Sequence, residues 1–499
     1  MVADGTLVAG RASEVGAMDV RKELYIGGEW VPPATSETID VVSPATEEVI
    51  GSTPAGSPGD IDRAVGAARR AFDETDWQWR PVEERCEIVS RLSGALQAKA
   101  QEIADVISSE NGSPKQWSLF GQVFSATTIF DAYATKWGPS FNWLETRDGM
   151  MGTPVRVRRA PVGVVAAIVP WNVPLFIVAL KLAPALVAGC TVVVKPAPET
   201  PLDSYLLAEA IAEAGVPAGV VNIVPAGRET GDYLIRHPGI DKVSFTGSTA
   251  VGQHIGEVCG GQLKRFTLEL GGKSAAIVLE DVDLTEANVT ELLSGGLSNN
   301  GQICAAQSRI LAPRSRYDEI VDALGSAVGA MSVGDPLDDS TQVGPLVAER
   351  QRTRVEGYLE AGRAEGARVV VGGGRPKHLD RGWFVEPTVF ADVDNSMRIA
   401  REEIFGPVLS VIPYGDEAEA VRIANDSDYG LSGSVWTSDP VHGEEVAYRM
   451  RTGVVAINSQ SIVDLYSPFG GFKKSGIGRE CGPEGLAPYT EYQSVVLPG

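Results

Sequence analysis

The sequence has few cysteines and fewer histidines. The five cysteines (Cys86, Cys190, Cys259, Cys304 and Cys481) form no CxxC pair, and the four histidines form no cluster. No metal-ligand spacing or disulfide framework follows from them, so no metal site is expected and a reducing, cytoplasmic compartment fits best. Basic residues are also short: 43 Lys and Arg face 65 Asp and Glu, a net charge of −22. That argues against a nucleic-acid groove or an anionic membrane surface as partner. No apolar run is long enough to span a bilayer. The most apolar stretch, Val162 to Val169, runs into Pro170-Trp171-Asn172-Val173-Pro174, which breaks any helix. Residues 1–20 carry Asp4, Glu14 and Asp19 without an apolar core, so they read as a loose extension rather than a leader. The dinucleotide fingerprint G-x-G-x-x-G occurs nowhere, and no internal repeat is found.

What is present points to a large α/β protein. A chain of 499 residues with 43% apolar and 22% charged content is soluble, globular and long enough for two or three domains. Residues 162–169 read as a buried strand, 175–187 as a helix and 191–195 as a strand closed by Pro196. A helix follows from Pro201 to about Ala214, ended by Gly215. Residues 220–224, 242–245, 266–270 and 275–279 read as further short strands. Strands alternating with helices imply a parallel sheet covered on both faces. Residues 153–159 instead alternate apolar with basic, and the tail from Tyr489 to Leu497 is strand-like. These are either ordinary edge strands or a two-part flap for subunit pairing. The pattern restarts after Gly271-Gly272, where a domain switch is expected.

Two residues carry potential chemistry. Cys304 ends Asn299-Asn300-Gly301-Gln302-Ile303-Cys304, and Glu269 lies in Leu268-Glu269-Leu270-Gly271-Gly272-Lys273. A thiol and a carboxylate in one cleft could attack a carbonyl and then activate water. On spacing alone, Cys304 is as well read as inert packing. The segment Phe245-Thr246-Gly247-Ser248-Thr249-Ala250-Val251-Gly252 follows a strand and opens a helix. Its helix N-terminus suits a phosphate, although a plain turn would look the same.

Taken together, the chain resembles the aldehyde dehydrogenase superfamily from about Leu24 to its end. The matching stretches are Pro170-Trp171-Asn172, Lys195-Pro196, Phe245-Thr246-Gly247-Ser248, Leu268 to Lys273, Gly301 to Cys304, Glu402-Glu403-Ile404-Phe405-Gly406-Pro407 and Pro468-Phe469-Gly470-Gly471. The resemblance implies that Cys304 is the nucleophile, Asn172 an oxyanion donor and Glu269 the base that releases the acid from a cysteine thioester. It implies cofactor contacts from Trp171, Lys195, Gly247, Ser248, Glu403 and Phe405. Lys181 and Glu480 match positions discussed as proton-relay or structural residues; a structural salt bridge is at least as good a reading for each, and they are left out of the catalytic set. The implied architecture is a Rossmann-like NAD-binding domain (21–140 and 160–272), an α/β catalytic domain (273–470) and a small β oligomerisation element (141–159 and 486–499). A homodimer or homotetramer is the usual assembly. The competing readings are a coenzyme A-acylating relative, against which Glu269 speaks, and a non-catalytic protein that kept the fold.

One departure concerns the cofactor. Relatives that prefer NAD often carry Glu three residues after the motif lysine, where this chain has Pro198, followed by Glu199. NAD is expected to be preferred, with soft discrimination against NADP. By correspondence, Val173, Leu180, Ile303, Val463 and Phe469 would line the aldehyde tunnel, which suits an apolar or aromatic aldehyde.

Overall fold

The computed structural model describes residues 19–150, 152–460 and 463–498. Most of the expected N-terminal extension therefore lies outside the described residues. Its last two do not fit the expectation: Asp19–Val20 is a strand, pairing in parallel with Val49–Pro54.

The first large sheet has eight strands. In spatial order they are Gly476–Ile477, Arg265–Glu269, Lys242–Thr246, Val164–Ile168, Thr191–Lys195, Val221–Ile223, Leu24–Ile26 and Glu29–Val31. The five central strands, from Arg265–Glu269 to Val221–Ile223, are parallel, and the outer ones are antiparallel. Val164–Ile168, Thr191–Lys195 and Lys242–Thr246 are buried along their whole length. Such strands must be apolar on both faces, which is why they read as continuous runs rather than alternations. The helix Pro174–Ala188 packs on this sheet with every residue buried, Lys181 included. Proline at its start costs no hydrogen bond, because the first amides of a helix have no partner within it.

Strand order reverses between Val164–Ile168 and Lys242–Thr246: the chain leaves the first toward Thr191–Lys195 and the second toward Arg265–Glu269. A crevice opens beyond the carboxyl ends of strands at such a reversal. The segments entering it are Pro170-Trp171-Asn172 and Gly247-Ser248. Lys195 and Glu269 are the last residues of their own strands.

The second large sheet has seven strands, in the order Arg368–Val371, Thr388–Ala391, Val408–Tyr414, Arg309–Pro313, Ala275–Val278, Ser432–Trp436 and Val454–Ile457. Only Arg368–Val371 runs antiparallel. The chain leaves the first sheet at Glu269 and enters the second at Ala275, on either side of Gly271-Gly272. Cys304 and Glu403 lie just before the strands Arg309–Pro313 and Val408–Tyr414, at their amino ends.

A separate sheet of three strands joins Leu144–Asp148, Pro154–Pro161 and Thr490–Val496. The tail strand runs antiparallel to the middle one from Thr490↔Pro161 to Val496↔Val155. Residues 486–489, which the sequence reading put in this element, are helical instead: Pro483 and Pro488 sit in tight helical turns, and extension begins only at Thr490. Leu144, Tyr492, Val495 and Val496 are exposed on this sheet. Among the described residues no helix is long and apolar enough to cross a membrane, and no cluster of His, Cys, Asp and Glu could hold a metal.

Candidate active site

The cysteine loop is built from left-handed backbone. Asn299, Asn300 and Gly301 have φ of +51°, +60° and +69° in succession. Asparagine tolerates this region because its short amide can bond locally. Here the amides of both asparagines bond to residues distant in the chain, which pins the loop to its neighbours. Asn300 Nδ2 donates to the carbonyls of Gly112 (2.8 Å) and Pro345 (2.9 Å), and its Oδ1 accepts from the Gly344 amide at 2.7 Å. Asn299 Nδ2 donates to the Asn172 carbonyl at 2.9 Å, and its Oδ1 accepts from Ser113 Oγ. A Cβ on Gly301 would lie 2.2 Å from the Gly406 carbonyl oxygen, so the loop packs against that chain at glycine distance.

Asn172 closes the same network. Its Nδ2 donates to the Gln302 carbonyl at 2.7 Å, which engages one of its two amide protons, and its own carbonyl accepts from Asn111 Nδ2 at 3.2 Å. These links tie the loop after Val164–Ile168 to the cysteine loop of the other sheet. Asn111, Ser113, Asn299 and Asn300 were not singled out as functional in the sequence. The run Asn299-Asn300-Gly301 was the available signal, since such residues in succession mark left-handed backbone.

Cys304 is half-buried and packs against an apolar cluster that contains Val173, Leu180 and Phe469, with Ile303 and Val463 beside it. Burial, and then the negative charges of Glu403 and Glu269, push its thiol up to about 12. The amides of Ala305 and Cys304 oppose that rise.

Glu269 is 4% exposed, and neither of its carboxylate oxygens has a hydrogen-bond partner among the described residues. Burial holds its carboxyl well above the usual carboxylate range. The charge of Glu480 adds to this, while Lys181 and Arg479 oppose it. Lys181 and Glu480 form a fully buried ion pair at 2.7 Å, and Lys181 Nζ also donates to Thr246 Oγ1 at 2.8 Å.

The remaining site residues fall into two groups around the crevice. Lys195 Nζ donates to the carbonyls of Pro196 (2.7 Å) and Ala226 (2.9 Å). Burial lowers its ammonium to about 8, against the pull of Glu199. Glu199 itself is ion-paired with Arg350. The Gly247 amide donates to the Glu269 carbonyl at 3.0 Å. Ser248 is exposed and caps the helix Thr249–Gln262, accepting from the Val251 amide at 3.5 Å.

On the other side, Glu403 Oε1 accepts from the Gly272 amide at 3.0 Å, and burial raises its carboxyl to about 7. A Cβ on Gly271 would stand 2.5 Å from Glu403 Oε2, so the carboxylate lies directly on that backbone. Phe405 adopts φ +64°, a conformation costly for an aromatic residue, and its carbonyl is held by Gln351 Nε2 at 2.7 Å. Its ring meets Trp171 edge-on, with centroids 5.4 Å apart.

These residues fit a dinucleotide. Lys195 has three N–H donors and uses two on backbone, leaving one to point outward. Glu403 keeps Oε2 available while Oε1 is anchored. Ser248 opens a helix of fourteen residues at an exposed N-terminus, where free amides favour phosphate.

Known proteins similar to this chain match it along nearly its whole length. The model of the aldehyde dehydrogenase family matches residues 30–495. Geranial dehydrogenase of Castellaniella defragrans is 50% identical over 479 residues, covering 96% of this chain and 99% of the relative. The structure of a Mycobacterium tuberculosis aldehyde dehydrogenase complexed with NAD+ superposes with a TM-score of 0.94 at 50% identity, covering 97% of this chain and 99% of that one. A mutant aldehyde dehydrogenase from Pseudomonas syringae, complexed with NAD+ and octanal, is 40% identical with a TM-score of 0.91, covering 95% and 96%.

Proposed function

This chain belongs to the aldehyde dehydrogenase family and oxidises aldehydes with NAD, and from that premise we propose that Cys304, Asn172 and Glu269 carry the reaction. Cys304 gives its proton to solvent and its sulfur bonds to the aldehyde carbon as the carbonyl π bond opens, giving a thiohemiacetal oxyanion. The second amide proton of Asn172 and the Cys304 backbone N–H stabilise that charge; one such donor is typically worth about 3–4 kcal/mol. NAD+, when bound, supplies the hydride acceptor that makes a thioester at Cys304 the next covalent state. Glu269 then takes a proton from water, whose oxygen attacks the thioester carbon. The carbon–sulfur bond breaks, the carboxylic acid leaves and the Cys304 thiol is restored. Lys195, Gly247 and Ser248 would hold the adenosine half of the cofactor, and Trp171, Glu403 and Phe405 the nicotinamide half. The observation that carries this reading is Glu269: a buried carboxylate with two free oxygens and a raised pKa is a base that awaits a proton donor.

The test is a pair of variants. Glu269→Gln is expected to give one rapid burst of NADH and then stall, with a covalent acyl adduct on Cys304 visible by intact mass. Cys304→Ala is expected to give neither burst nor adduct. Steady turnover in Glu269→Gln that depends on coenzyme A would favour the acyl-transfer alternative.

For the substrate we propose a large apolar aldehyde. Cys304, Ile303 and Val463 pack against an apolar core cluster that includes Val173, Leu180 and Phe469, which supports an apolar environment at the sulfur. The geranial dehydrogenase relative and the octanal-bound homologue support the same class. The kcat/KM for geranial, octanal and benzaldehyde should exceed that for succinate semialdehyde by tenfold or more, about 1.4 kcal/mol of selectivity; the reverse order would refute it.

For the cofactor we propose a preference for NAD without strict exclusion of NADP, because Pro198 offers no charge and Glu199 is engaged by Arg350. The sheet of Leu144–Asp148, Pro154–Pro161 and Thr490–Val496, with its exposed Tyr492, Val495 and Val496, supports pairing with a second copy in a homodimer or homotetramer. The cysteines at 86, 190, 259, 304 and 481 are all free, which supports a cytoplasmic location. We keep the division into a cofactor domain (21–140, 160–272) and a catalytic domain (273–470), with the pairing element reduced at the tail to the strand from Thr490 and its partners within 141–161.

A further inference from the structure

Behind the Gly271-Gly272 turn lies a small cavity lined by Lys273, Arg309, Tyr429, Ser432 and Thr452, among others. Lys273 and Arg309 are each 1% exposed. Neither forms an ion pair among the described residues. The Arg309 guanidinium donates only to neutral oxygens: the carbonyls of Lys273, Ile423 and Ala424 and the amide oxygen of Asn395, all at 2.9–3.0 Å. Lys273 Nζ has no hydrogen-bond partner at all, and neither has Thr452 Oγ1 on the same wall. An unpartnered buried amine and an unpartnered hydroxyl therefore share one cavity with a buried guanidinium, and among the described residues no anion touches either basic group. Buried charge without a counter-charge is costly, and unsatisfied donors add to that cost.

We propose that this cavity binds one small monovalent anion of chloride size, held between the Lys273 ammonium and the Thr452 hydroxyl, as the counter-ion of the Lys273–Arg309 pair. The free space is small, which favours a compact monatomic anion over a bulky one. A cation is excluded by the charge of the walls. A water molecule would satisfy the donors but leave the charge uncompensated. Burial also lowers the Lys273 ammonium to about 7, with Arg309 adding to the drop and the more distant Glu403 and Glu402 opposing it, so an anion in direct contact that keeps this proton in place is stabilised in return. The site is distinct from the crevice that holds the reacting groups, but it is joined to it by one residue: the Gly272 amide next to Lys273 is the donor that anchors Glu403.

The experiment uses the full chain. Crystals soaked in sodium bromide and measured at the bromine edge should show an anomalous peak in contact with Lys273 Nζ. In solution, the melting temperature should rise saturably with sodium chloride relative to sodium gluconate at equal ionic strength, as ligand linkage requires. Lys273→Met should abolish that difference, and Thr452→Val, which keeps the side-chain shape, should raise the chloride concentration for half-effect several-fold. If Lys273→Met does not fold, Thr452→Val carries the test alone. The proposal is overturned by the lack of a bromide peak, by identical melting in the two salts, by a peak seen only at soaking concentration, or by an unaltered chloride response in Thr452→Val.

Discussion

Lys181 and Glu480, on the central helix and near the chain's end, meet as a fully buried ion pair at 2.7 Å, beside the unpartnered carboxylate of Glu269. The pair sets the charge that Glu269 experiences. Glu480 raises its carboxyl and Lys181 lowers it. In Glu480→Gln the raising charge is gone and Lys181 is unopposed, so the Glu269 carboxyl should fall. The acid limb of the steady-state rate is then expected to move to lower pH, as read from a kcat–pH profile. Stripping Lys181 of its counter-charge should also cost about 3–5 kcal/mol of stability, measured by denaturant unfolding.

The thiol of Cys304, pushed up to about 12 by its surroundings, is mostly protonated at neutral pH in the cofactor-free protein. Because the thiolate is the reactive form, alkylation of Cys304 by iodoacetamide should rise about tenfold per pH unit between pH 7 and 10, without a plateau. Mass spectrometry of the labelled peptide gives the rate; a plateau below pH 9 would contradict the burial argument.

Lys195 should set an alkaline limit on cofactor binding. Its ammonium, lowered to about 8 by burial, is charged below that pH and neutral above it. Its KM for NAD is expected to rise as pH passes through about 8, with kcat much less affected. Lys195→Met should show a raised KM at every pH and lose the inflection.

Gly301→Ala tests the cysteine loop. A methyl group there meets the Gly406 carbonyl oxygen at 2.2 Å and must also adopt φ +69°. The left-handed conformation alone costs about 1–2 kcal/mol, and the collision adds to it. Activity should fall at least a hundredfold, while far-ultraviolet circular dichroism stays native. Wild-type turnover in this variant would mean that the loop shifts freely.

Much of the fold could be read from residue order. The strand Thr191–Lys195 matches its expected bounds, 242–245 and 275–279 differ from the observed strands by one residue at one end, and 266–270 is shifted by one residue from Arg265–Glu269. Buried parallel strands advertise themselves as short β-branched runs stopped by proline or glycine. The strand pairings were not legible, because neighbours such as Arg265–Glu269 and Gly476–Ile477 are joined across some two hundred residues. The same holds for the site. Cys304, Glu269 and Asn172 were visible as motif residues, but the Asn111, Ser113, Asn299 and Asn300 bonds that fix Asn172 and the cysteine loop exist only after folding. Nor did spacing foretell that Asn172 spends one amide proton on the Gln302 carbonyl.

Three separate parts of the molecule lean on one short stretch near residue 480. Gly476–Ile477 edges the first sheet beside Glu269, Glu480 partners Lys181, and Thr490–Val496 fastens onto Pro154–Pro161. A cut anywhere between Gly476 and Thr490 therefore loosens the sheet edge, the buried ion pair and the three-stranded sheet together, and the integrity of the reacting groups is tied to that of the small sheet far from them.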